Sequence, residues 1–211
     1  MDYVGLQASV TNWAARSDSL TVAEVPNFIA FATDSFNHGI PERTIAPIRT
    51  REMMSNPPAV LTPVAGVATL PADFLQPIEA TSLNSIRRPL SFITNGYTDA
   101  RYADRAGGLP NSYAILGNSL STYPVSSTDV ELIYYQKIPQ LSNDAPTNWL
   151  IEKLPALYLH ASLYQLALFT KDNELIQRST AMMIAMIDGL NVTDMLSVYS
   201  RASVKMQMVT P

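Results

Sequence analysis

The sequence predicts an α+β protein: both chain ends build a helical bundle body, and a β-rich, sandwich-like domain is inserted between them. Three observations predict it. Eleven of the 15 prolines lie between Pro41 and Pro139, and each ring removes a backbone donor and clashes with the preceding helical turn, so this stretch reads as short strands and turns. Both ends carry apolar residues at helical spacing. The segment from Val130 to Gln136 alternates apolar and polar side chains, the period of a half-buried strand. The expected division is residues 1–42 and 140–211 for the body and 43–139 for the insertion.

The first helix is expected from Leu6 to Arg16, with Leu6, Val10, Trp13 and Ala14 on one face, and Arg16 to Ser19 as the break. A second begins near Thr21, with Glu24 completing a capping box, or slightly later with Pro26 in its first turn. Val25, Ile29, Ala32 and Phe36 keep helical spacing until Gly39 and Pro41 stop it. Strands are expected over 43–54, 67–70, 75–83, 89–94, 112–116, 120–123 and 130–136, with a small helix over 97–105. Gly117-Asn118 reads as a hairpin turn. In the last strand Val130, Leu132 and Tyr134 share one face, opposite Asp129, Glu131, Ile133 and Tyr135.

Thr147 or Asn148 caps a short helix through Trp149, Leu150 and Ile151, and Pro155 opens a longer one. From Leu154 to Thr170 there is no formal charge. A helix without a polar face must be covered all round, so this segment predicts that copies of the chain or other partners supply part of its cover. After a break at Lys171 to Asn173, Leu175, Met182, Met183, Met186, Ile187 and Leu190 form the stripe of a third helix.

Charged residues are only 15% of the chain against a typical ~25%. That fits a surface largely buried in an assembly, and equally one rich in Ser, Thr and Asn. There is no cysteine, which excludes disulfides and thiolate metal sites. The N-terminus MDYVGLQASV has neither a basic leader nor an apolar core of signal length, and Leu154 to Thr170 is too short to span a bilayer; synthesis in a cytoplasm without membrane contact is the expectation. A net charge of −4 argues against a dedicated nucleic-acid binder.

Chemistry is sparse. His38 and His160 have no neighbouring ligands at metal spacing, and no phosphate loop, dinucleotide fingerprint or nucleophile elbow occurs, so no catalytic, cofactor or metal residues are assigned. Asp129 with Glu131, and Asp99 with Asp104, read as solvated faces. Arg43, Arg49 and Arg51 share one face of the expected strand, and Arg49 and Arg51 are candidate partner contacts. The segment after Leu196 has no acid, and Arg201, Lys205, Met206 and Met208 are the candidate partner-binding residues there. Asn191-Val-Thr193 matches a glycosylation acceptor, which carries no function without export.

Several stretches, taken in order, resemble one family. They are Leu70-Pro-Ala-Asp-Phe-Leu75, Ser112-Tyr-Ala-Ile115, Gly117-Asn118, Leu120-Ser-Thr-Tyr-Pro124, Leu132-Ile-Tyr-Tyr-Gln-Lys-Ile-Pro139, Pro146-Thr-Asn-Trp-Leu150 and Pro155-Ala-Leu-Tyr158, with Lys171-Asp172 after the helix. In this order they are similar to the head-to-tail adaptor (connector) proteins of tailed bacteriophages, most densely from Leu70 to Asp172. Val25-Pro-Asn-Phe-Ile-Ala30 resembles that family's second helix. The resemblance implies a structural virion protein in the neck between capsid and tail. About twelve copies would form a ring, docked on the portal at one side and on the tail or nozzle at the other, with DNA only as passing cargo. Two other functions stay open: a polysaccharide hydrolase working through carboxylates such as Asp129 and Glu131, and a monomeric ligand-binding domain.

Overall fold

The computed structural model describes residues 1–94 and 107–199. The fold is α+β, with five α-helices and two four-stranded sheets among the described residues. It divides into two compact units, one from Met1–Glu52 and Ile138–Pro211, the other from Met53–Lys137. The expected helix over 97–105, with Asp99 and Asp104, lies outside the described residues.

In the first unit α1 (Tyr3–Trp13) starts earlier than its apolar spacing suggests, because the Asp2 side chain accepts from Gly5 N at 2.8 Å. α2 (Ser19–His38) likewise starts at Asp18, whose carboxylate accepts from Thr21 N. Pro26 therefore sits inside α2 and not in its first turn. It is exposed, as is Val22 one turn before it, so water can satisfy the Val22 carbonyl that Pro26 leaves without a donor. α3 (Trp149–Lys153) is capped by Asn148, whose Oδ1 accepts from Ile151 N at 3.0 Å. α4 (Pro155–Thr170) ends on Lys171 in the left-handed conformation, and Asp172 caps the start of α5 (Asn173–Tyr199) by accepting from Leu175 N.

α4 is the centre of this unit. Leu157 to Tyr164, Leu166 and Ala167 are all buried, because α1, α2, α3 and α5 pack around them. One chain thus shelters most of the uncharged helix by itself, and the cover expected from other chains is narrowed to its last turn. Only Leu168 and Phe169 stay substantially exposed, and Phe169 already meets Phe28 at 5.6 Å. In α5 the buried line runs through Ile176, Ser179, Met183 and Ile187. It is rotated from the expected stripe, with Met182 left exposed.

Gly39 ends α2 at φ 73° and ψ 178°, a region only glycine occupies readily. A Cβ there would lie 2.7 Å from the Ile45 carbonyl oxygen and 3.0 Å from Pro47. Gly39→Ala is expected to lower stability by about 1–3 kcal/mol from backbone strain alone, more with the contact added. Urea unfolding checks this; a neutral substitution would show that the turn can adopt another path.

The expected strand over 43–54 does not form. Its place is taken by 3-10 turns at Pro41–Arg43 and Arg51–Met53 and an isolated bridge between Ile40 and Ile45. Arg43, Arg49 and Arg51 therefore share no strand face. The even spacing of these arginines imitates a strand, but Pro47 and side-chain partners from α5 take the backbone groups a ladder would use.

The second unit holds the sheets. One has the order β1-β8-β3-β4 and the other β2-β7-β6-β5. The strands are β1 (Ala59–Leu61), β2 (Val67–Thr69), β3 (Phe74–Ser82), β4 (Arg88–Pro89), β5 (Ser91–Phe92), β6 (Ser112–Leu116), β7 (Ser119–Tyr123) and β8 (Val130–Gln136). β1, at three residues, is too short to show alternation in the sequence, and the expected strand over 89–94 is split between the two sheets. Val130, Leu132 and Tyr134 of β8 point inward as their alternation predicts. They join Leu61, Ala80, Tyr113 and Leu120 in one core supplied by both sheets, which is the sandwich-like arrangement. Gly117 opens the β6–β7 turn at φ 58°, the positive value a two-residue hairpin needs at its first position.

Candidate partner-binding surface

Two asparagines and one aspartate on the helices fix both backbone segments that lead into and out of the β-rich residues. Asn191 of α5 donates through Nδ2 to the Pro47 carbonyl at 3.2 Å and accepts from Arg49 N at 3.1 Å. One turn on, Asp194 accepts from Arg51 N at 3.2 Å and from Arg51 Nε at 2.9 Å. Asn37 of α2 accepts from Ile138 N at 2.8 Å, with its Nδ2 3.4 Å from the Ile138 carbonyl. Arg49 links the two sites by donating from Nη1 to the Asn37 carbonyl at 3.1 Å.

Arg49 and Arg51, expected as partner contacts, are thus both engaged inside their own unit. Arg51 still presents a half-exposed side chain (51%) beside the largely covered Asp194 (12%). Lys153 pairs with Glu52 next to it and holds that carboxyl below the usual range, in the same order of exposure, 46% against 38%. The two pairs border a groove of about 470 Å³ floored by Leu154, Ala185, Met186 and Leu190. Arg201, Lys205, Met206 and Met208 lie outside the described residues.

Periodicity could not have found Asn37, Asn191 and Asp194, since their partners lie 101 to 144 residues away. The Asn191-Val-Thr193 triplet is a hydrogen-bonding clamp in this fold. Exposed large apolar residues give a second signal. Phe31 on α2 and Val192, Met195 and Leu196 on α5 are all more than half exposed.

The candidate chemical groups sit in ordinary structural settings. Glu131 pairs with Arg87 on the outer face of β8, and His38 is exposed at the end of α2. Among the described residues no group of His, Asp and Glu could hold a metal ion. Nor is any described helix long and apolar enough to cross a membrane.

A family model described as the SU10 adaptor protein matches residues 1–206. The chain belongs to the SU10 adaptor protein family. It is a phage head-to-tail adaptor, a structural protein of the virion. No curated protein matches the chain.

His160 of the adaptor is buried in α4, its ring edge-on to Trp13 of α1 at 5.9 Å. Burial, and then the Arg178 guanidinium on α5, hold its pKa below 6.5. The unfolded chain therefore takes up this proton more readily than the fold. The stability contribution is whole above pH 6.5 and is lost as pH falls through the folded value. His160→Gln is expected to flatten the fall in melting temperature between pH 7 and pH 5. An unchanged pH slope would show that other groups set it.

Proposed function

We propose that this adaptor assembles as a closed ring of roughly twelve copies that joins the portal to the tail or nozzle and continues the DNA channel. Family membership across residues 1–206 is the observation that carries the reading. The apolar side chains left exposed on the helical unit support it, since α4 is already sheltered and Phe31, Met195 and Leu196 are not. The net charge of −4 suits a passage through which DNA slides without sticking.

The segment after Leu196 reaches the portal, with Arg201, Lys205, Met206 and Met208 making the contact, while Arg49 and Arg51 act at the rim of the helical unit. Mixing full-length chain with purified portal and sedimenting the mixture tests this. The full chain is expected to travel with the portal, and a chain lacking residues 198–211 to stay behind. Equal binding by both would remove the C-terminal contact.

A further inference from the structure

The helical unit has two outward faces that match each other. α4 packs against both α2 and α5, whereas α2 and α5 scarcely touch. Phe31 of α2 is not among the residues lining the groove on α5, so the two are separate surfaces of the helical unit. On the α2 side Phe31 stands 53% exposed, between Asn27 and Asp34 on the same face. On the α5 side lies the groove floored by Leu154, Met186 and Leu190. Its volume of about 470 Å³ has room for an aromatic ring, the side-chain type that most often anchors an interface.

We propose that neighbouring copies meet through these two unlike faces, with Phe31 of one copy seated in the α5 groove of the next. This rests on the ring reading and supplies its lateral contact. Charge selects the occupant. On the Phe31 face α2 carries Glu24 and Asp34, and the helix has no lysine or arginine. At the groove rim Arg51 and Lys153 are the more exposed members of their pairs. An acidic face thus meets ion pairs whose cations are more exposed than their carboxylates, whereas two α2 faces brought together would set carboxylates against carboxylates. Contacts between unlike faces pass from copy to copy and close into a ring when the rotation between copies divides a full turn.

Gly189 provides a test that leaves the fold intact. It lines the groove, and a Cβ built on it meets nothing within 4 Å. Gly189→Leu fills the groove and also improves helix propensity. The variant is expected to melt no lower than the parent chain while self-association weakens about tenfold or more. Phe31→Ala should weaken association to a similar degree.

The chain has no cysteine, so introduced thiols report without background. Asn27→Cys lies one turn from Phe31 and Thr193→Cys in the groove lining, and neither changes Phe31 or the apolar residues Leu154, Met186 and Leu190. With a short bismaleimide, a mixture of the two single variants should give a cross-linked dimer, and the double variant a ladder. Multimers in sedimentation that show neither cross-link nor response to Gly189→Leu would overturn this seat and leave the ring standing. A chain that stays monomeric at every concentration, alone and with portal, would overturn the ring and this contact together.

Discussion

Tyr158→Ala is expected to destabilise the helical unit by about 3–5 kcal/mol, the cost of emptying a well-packed aromatic site. Tyr158 is fully buried on α4, its ring edge-on to Phe36 of α2 at 5.0 Å. Its phenolic oxygen accepts from Asn148 Nδ2 at 2.8 Å and lies 3.4 Å from the Thr33 hydroxyl. Asn148 also caps α3 and donates to the Pro139 carbonyl at 2.8 Å. One side chain therefore joins α2, α3 and α4. Burial raises the Tyr158 pKa despite the bond from Asn148, so the phenol stays protonated across the ordinary range. Tyr158→Phe keeps the ring and drops the hydroxyl, and it should cost only about 1 kcal/mol. Urea unfolding of both variants separates packing from hydrogen bonding. Equal losses would show that the polar network matters and the ring does not.

Asn37→Ala is the second large effect, expected at about 2–4 kcal/mol. It strips partners from both backbone groups of the fully buried Ile138, and an unsatisfied buried group costs about 1–3 kcal/mol. It should also loosen the chain where Ile138 enters the helical unit. Hydrogen exchange reads this directly: the Ile138 amide should exchange much faster in the variant, while the β8 amides paired with β3 keep their protection. Unchanged Ile138 protection would mean that another group takes over the bond.

The parts of this fold legible in the sequence are those with a local period or a local turn. β8 shows its inward face through Val130, Leu132 and Tyr134, and the β6–β7 turn shows in Gly117-Asn118. Helix starts were displaced because Asp2 and Asp18 cap earlier than the first apolar residue suggests. The cover of α4 is not legible for a different reason: a sequence shows that a helix must be covered, but not how many helices of the same chain surround it. Four do. The clamps at Asn37, Asn191 and Asp194 were invisible because side-chain pairing across more than a hundred residues leaves no periodic trace. Arg49 and Arg51 were picked out by their charge, and they serve first to hold α5 against the segment that leads to the sheets.

Native mass spectrometry of the full-length adaptor bound to purified portal tests the central claim most directly. The account predicts a single complex carrying one fixed number of adaptor copies, filled all-or-none as a closed ring requires. Portal particles carrying a scatter of independently bound copies, or none at all, would contradict it.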